Sequence, residues 1–163
     1  MNLHARGETT PAAYAPAAQK TTAPPEAGAK AFCEQLARRH AVSDDKIEEL
    51  MHRARWLDEP IAELALREGL VTETELRDLL ATMSGVRTVS LSQTRIAPEA
   101  VERVPATAVS RCRFMPVEIA GERIVLATDR IVDHAESEQL RILLGASIEW
   151  VLCTVHELSE CIK

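Results

Sequence analysis

The chain has 163 residues, enough for one domain of two small lobes with a real core, and 46% of them are hydrophobic. Its net charge of −6 leaves no basic footprint, which argues against nonspecific nucleic-acid binding. No apolar run approaches the roughly eighteen residues of a membrane span, and the N-terminus lacks a signal-peptide core, so a cytoplasmic protein without direct membrane insertion is expected.

Residues 1–29 are dominated by Ala, Pro and Thr, with Pro24-Pro25 near the end. Side chains larger than Ala that could be buried are scarce there, so little offsets the entropy of ordering, and a disordered tail is expected. A first helical pair is expected from Lys30 to Ala54. Ser43 and Asp44 offer a cap for its second helix, and Ile47, Leu50 and Met51 form its buried stripe. Arg38, Arg39 and His40, with Arg53 and Arg55, make a basic cluster. Such a cluster reads either as a solvated face or as a surface for an acidic or phosphorylated partner. Trp56 reads either as core between two helical pairs or, with these arginines, as an interface anchor.

Asp58 is expected to cap a third helix that has Pro60 in its first turn. Ile61, Leu64 and Ala65 give that helix an apolar stripe, and Gly69 ends it. Thr72 with Glu75 forms a capping box for a fourth helix, in which Leu76, Leu79, Leu80 and Met83 share a face. A shift of 29 positions lays Met83, Leu80, Leu79 and Leu76 on Ala54, Met51, Leu50 and Ile47, and it lays Thr72 on Ser43 and Ile61 on Phe32. The spacing therefore predicts two copies of a helix–turn–helix unit that bury their stripes against each other in a compact four-helix lobe.

After Ser84-Gly85 the period changes. Val86 to Leu91 reads as a strand, Pro98 to Val104 as a helix, and Pro105 opens another that ends near Arg111. Phe114–Ala120 and Arg123–Thr128 flank Gly121-Glu122, a hairpin signal. A helix from Val132 to Leu144, a strand from Ser147 to Leu152, and a last helix capped by Thr154 and Glu157 complete the chain. The expected class is α+β. A four-helix repeat lobe (residues 30–84) precedes a three- or four-stranded sheet with helices on one side (residues 85–163).

Four cysteines, Cys33, Cys112, Cys153 and Cys161, show no C-x-x-C pair and read as reduced core residues. Cys153, His156 and Cys161 fall short of the four ligands of structural zinc, so no metal site is expected. The phosphate loop G-x-x-x-x-G-K-[ST], the G-x-S-x-G elbow and the H-E-x-x-H helix are all missing from the sequence. Asp129 and Asp133 sit just after a strand, where catalytic carboxylates sometimes lie. No catalytic residue is assigned, and no enzyme is expected.

The run EGLVTETELRDLL, then VSL, then IAPEAVERVPATAVSRCRFMPVEIAGERIVLATD resembles the N-terminal domain of type II secretion and type IV pilus assembly ATPases, also called the MshEN or general secretory pathway E N-terminal domain. The resemblance covers residues 30–163. It implies a noncatalytic module of a secretion, pilus or envelope-assembly system that docks on the cytoplasmic part of an inner-membrane component. Similar domains are attached to some membrane glycosyltransferases. It also implies a ligand to be weighed, since many members bind cyclic di-GMP through two tandem motifs opening with Arg-Leu-Gly and ending in Gln. Here the Arg-Leu-Gly positions are Pro60, Ile61 and Ala62 in the second copy and Ala31, Phe32 and Cys33 in the first. The Gln positions are Met83 and Ala54, and the Gly before the second helix is Gly69 in one copy but His40 in the other. No cofactor is therefore expected and no nucleotide-binding residue is named. Arg38, Arg39, Arg53, Arg55 and Trp56 are the candidate partner-binding residues. The alternative is a sensor of cyclic di-GMP or another nucleotide that uses the same arginines.

Overall fold

The computed structural model describes residues 26–163. Four helices come first: α1 (Glu26–His40), α2 (Asp44–Leu57), α3 (Ile61–Arg67) and α4 (Glu73–Ser84). Their stripes meet in one core, to which α1 contributes Phe32 and Leu36, α2 Leu50 and Ala54, α3 Ile61 and Leu64, and α4 Leu76 and Leu79. The two helical pairs thus bury each other, as the 29-residue repeat requires. Ser43 accepts from the Lys46 amide, and the Thr72–Glu75 capping box is complete at the matching position of the second pair. Each cap satisfies amides that the first helical turn leaves without partners.

Several boundaries differ from the sequence reading. Helix α1 starts at Glu26, four residues before Lys30, because Glu26-Ala27-Gly28-Ala29 extends it by a turn from Pro24-Pro25. The rest of the expected tail, residues 1–25, lies outside the described residues. Asp58 does not cap α3. It adopts a left-handed conformation (φ 52°) at the end of α2, where the Glu59 amide reaches back to the Ala54 carbonyl at 3.0 Å. Asp tolerates this conformation better than most side chains. Gly69 does the same for α3, with the Leu70 amide on the Ala65 carbonyl at 3.0 Å.

The second lobe holds α5 (Pro98–Arg103), α6 (Ala106–Cys112), β1 (Phe114–Ala120), β2 (Arg123–Thr128), α7 (His134–Leu144), β3 (Ser147–Leu152) and α8 (Val155–Ile162). Strands β1 and β2 pair antiparallel through a two-residue turn with Gly121 at φ 64°. Strands β2 and β3 pair parallel, from Arg123 opposite Ser147 to Thr128 opposite Leu152, with α7 as the crossover. The sheet order is β1-β2-β3. Helix α7 starts at His134 rather than Val132, because Asp133 takes the cap position and accepts from the Glu136 amide at 2.7 Å.

The α+β class is the one expected, with two amendments. Residues 86–91 form no full strand. Thr88 bridges β3 at Leu152 through two backbone bonds of 2.8 and 2.9 Å, and the chain then turns at Ser90. The hydroxyls of Ser90 and Ser92 donate to Glu157, which draws the backbone off the strand line. Nor are the helices confined to one side. Helices α6 and α7 cover the face carrying Phe114, Ile124 and Leu126, while α8 and Leu91 cover the face carrying Val125, Ala127 and Val151. The central strand β2 is apolar at consecutive positions, so both of its faces need cover. On the α7 side the Trp150 ring meets Phe114 edge-on at 6.1 Å, and its Nε1 donates to Ser137 at 3.0 Å.

Leu152 is buried and packs into the helical-lobe core although it belongs to β3. We expect Leu152→Ala to cost about 2–5 kcal/mol. Because it joins both lobes, urea denaturation followed by Trp fluorescence and by helical circular dichroism should give coincident transitions in the variant; two separate transitions would show that the lobes unfold independently.

Candidate functional site

The candidate residues fall at two ends of one helix. Arg38 and Arg39 occupy the last turn of α1, beside the start of α2, whereas Arg53, Arg55 and Trp56 lie in the last turns of α2. The nine steps from Asp44 to Arg53 advance about 14 Å along the helix axis. The expected single cluster is therefore two groups. In the first, Arg39 donates to the Thr82 hydroxyl of α4 at 3.3 Å and so ties α1 to α4, while Arg38 is exposed.

In the second group, Arg53 pairs with Glu68 at the end of α3 and lies 3.8 Å from Glu49. Lys46 reaches the same two carboxylates at 3.2 and 3.0 Å. Glu68 is largely shielded from solvent, so this four-charge network binds the two helical pairs together. Arg53 is thus engaged in structure. Trp56 is 82% exposed, which removes its reading as core between the repeats, and Leu57 next to it is 48% exposed. The reason is angular. Leu50 and Ala54 point to the core, and Trp56 follows Ala54 by about 200° around the helix. Arg55, exposed, adjoins it in sequence.

The positions that correspond to the nucleotide motif lie elsewhere. Phe32, Cys33, Ile61 and Ala54 are buried in the helical core, and Ala31, Ala62 and Met83 are partly buried. Their side chains offer packing surface and no charged donors. His40 lies 3.8 Å from Glu75.

Sequence reasoning missed three features. The Lys46–Glu68 contact joins residues far apart in the chain, which no local pattern displays. Ile142 and Leu143 are exposed on α7 but sit beside the buried Leu140 and Leu144 in the segment LRILL, whose crowded apolar residues hide which ones face outward. The third is the environment of Glu157. It was expected to complete a capping box, which it does, but it also accepts from Ser90 at 2.6 Å and Ser92 at 3.0 Å. Burial pushes its carboxyl upward, but the hydrogen bonds from Ser90, Ser92 and Thr154 outweigh this and hold it down at about 2.

Burial, reinforced by the charge of Asp129, pushes the Cys153 thiol up to about 12, and burial also raises Cys33 and Cys161. These thiols are poor nucleophiles at neutral pH. Among the described residues no three His, Cys, Asp or Glu side chains are grouped to hold a metal, and no helix is long and apolar enough to cross a membrane. Asp129 is a turn residue whose carboxylate pairs with Arg113.

Residues 84–163 match the MshEN domain. The type IV pilus assembly ATPase PilB of Myxococcus xanthus (strain DK1622) is 22% identical over 130 residues, which make up 80% of this chain and 23% of that protein. The chain therefore spans about a quarter of that relative. Among solved structures, MshE with cdg superposes with a TM-score of 0.72 at 20% identity, covering 80% of this chain and 95% of that one. The N-terminal domain of XpsE, in one crystal form, gives 0.65 at 18% identity, covering 82% and 92%. At these identities the superpositions establish a shared fold.

The Glu157 carboxylate carries a pH signature. Its folded value of about 2 lies below the ordinary 4.5, so its contribution to stability is complete above pH 4.5 and fades as pH falls toward 2. After solvent screening, Glu157→Gln should cost roughly 1–2 kcal/mol at pH 7. Denaturation at several pH values should show the difference from wild type shrinking below pH 4.5; a constant difference would mean that the carboxylate charge contributes nothing.

Proposed function

From a chain that carries an MshEN domain over residues 84–163 and resembles the N-terminal domain of type II secretion and type IV pilus ATPases, we propose a noncatalytic docking and regulatory module of a secretion, pilus or envelope-assembly system. The matched domain is the part of those ATPases that precedes their catalytic domains, and this chain has no phosphate loop of its own. In this reading the module works on the cytoplasmic face of the inner membrane, holding a cytoplasmic part of a membrane component.

The observation that carries the reading is Trp56. A Trp standing almost wholly in solvent at a helix end, beside Leu57 and Arg55, has the chemistry that concentrates binding energy in protein interfaces. Arg53 shapes this surface from its network with Glu68, and Arg38 and Arg39 extend it along the lobe only if the partner also spans the start of α2. Trp56→Ala should leave the melting temperature nearly unchanged, since exposed substitutions stay within about 0.5 kcal/mol. It should weaken binding to the cytoplasmic region of the neighbouring inner-membrane assembly protein by about thirtyfold or more. Arg55→Glu should act mainly by slowing association at low salt. Arg53→Glu should also lower stability, because it sets a third carboxylate against Glu49 and Glu68. Surface plasmon resonance with that region checks all three, and wild-type affinity for Trp56→Ala would remove the α2 end from the interface.

A second reading, a nucleotide sensor, is favoured by one observation, the superposition on MshE with cdg. Against it stand the apolar residues at the motif positions, where the charge-assisted contacts to a nucleotide would be lost at roughly 1.5–3 kcal/mol each. Calorimetry with cyclic di-GMP is expected to give no measurable binding below about 100 μM. Submicromolar binding would restore the sensor reading and turn attention to Arg38, Arg39, Arg53 and Arg55.

A further inference from the structure

Of the five aromatic residues in the chain, three are accounted for by packing. Phe32 and Phe114 are buried, and Trp150 stands edge-on to Phe114. Trp56 is left in solvent at the end of α2, with Leu57 beside it. The fifth is Tyr14, in the run Pro11-Ala12-Ala13-Tyr14-Ala15-Pro16 ahead of α1. The exposed aliphatic pair of the other lobe, Ile142 and Leu143, offers no ring for a second ring to pack on.

Helix α1 fixes where that run leaves the fold. Helices α1 and α2 are joined by residues 41–43 and contribute to one core, so Glu26 and Leu57 are the two ends remote from the turn. The helices are about 22 and 21 Å long, and a right-angle crossing would leave those ends only about 30 Å apart. The chain from Tyr14 to Glu26 spans up to about 40 Å, which brings Tyr14 within reach of Trp56.

We propose that residues 11–16 fold back over Trp56, with Tyr14 packed on the indole between Pro11 and Pro16, and that this strap competes with the docking partner. Proline-rich segments lose little entropy when they dock on exposed aromatic side chains. The tether adds an effective concentration on the order of millimolar, so a contact too weak to hold two separate molecules suffices within one chain. A separate protein has no such tether, which selects the chain's own segment as the occupant when the partner is away. The competition, but not the contact itself, rests on the reading of the α2 end as a docking surface.

The test labels the full chain with fluorotryptophan and follows its two tryptophan signals by fluorine NMR, assigned with Trp56→Phe. Tyr14→Ala should move the Trp56 signal and raise its exposure to solvent, read from the shift between light and heavy water. The Trp150 signal should stay in place. Replacing Pro11 and Pro16 together by Gly should act in the same direction and less strongly. By surface plasmon resonance, Tyr14→Ala should bind the cytoplasmic region of the assembly protein about three- to tenfold more tightly, as the open fraction rises. A Trp56 signal identical in wild type and Tyr14→Ala would overturn the proposal. So would a Trp56 signal that moves with protein concentration, which would put the strap on another copy. If Trp56→Ala weakens partner binding while Tyr14→Ala leaves it unchanged, the docking surface stands and the competition is refuted. If Tyr14→Ala uncovers Trp56 but Trp56→Ala binds the partner like wild type, the strap stands and the docking reading fails.

Discussion

Neither helical pair presents enough facing surface to bury its own stripe, so α1–α2 and α3–α4 must close on each other, and the remaining arrangement follows from that closure. Leu36, Leu50, Leu64 and Leu79 meet in its centre, one from each helix. Leu152 enters the same core from β3, so the sheet is held where the helical lobe ends. The closure also decides what is left outside. Once Leu50 and Ala54 face inward, helix geometry turns Trp56 away, and the Asp58 turn carries the chain back toward α3.

Charge pairs secure the joints that apolar packing has formed. Glu68 draws Lys46 and Arg53 across the boundary between the helical copies. Glu73 of α4 accepts from the His156 amide in the first turn of α8 at 2.8 Å, which satisfies an amide without a helical partner and ties the two lobes together. Glu157 gathers Ser90 and Ser92 against the start of α8. Three carboxylates thus fix three junctions in a protein whose acidic excess would otherwise only repel. The value of the Glu68 pairs is positional, since partly exposed ion pairs contribute little net stability.

Most of the architecture was legible because its signals are local. Caps at Ser43, Thr72 and Thr154, the Gly121 turn and the stripes of α2 and α4 each occupy a few consecutive residues, and all were found where expected. What escaped depends on partners distant in sequence. Val86–Leu91 has strand composition, but Glu157, more than sixty residues away, bends it off the sheet. Asp58 could cap the helix after it or close the one before it, and only the return path of the chain selects between them. The basic cluster was a cluster only in sequence, since α2 itself separates its two halves. The exposure of Trp56 was one of two open readings, and the direction of one helix face settles it.

The Arg and Gln positions of the nucleotide motif carry Ala31, Pro60, Ala54 and Met83 in this chain. A nucleotide site in a helical lobe needs charged donors and glycines whose backbone approaches phosphate, and both leave the helix ends poorly packed. In this chain the Arg positions hold Ala31 and Pro60, and the first-copy Gly position holds Cys33, which is buried in the core. Among the described residues of the helical lobe, the large apolar side chains left in solvent are Trp56 and Leu57, at the end of α2.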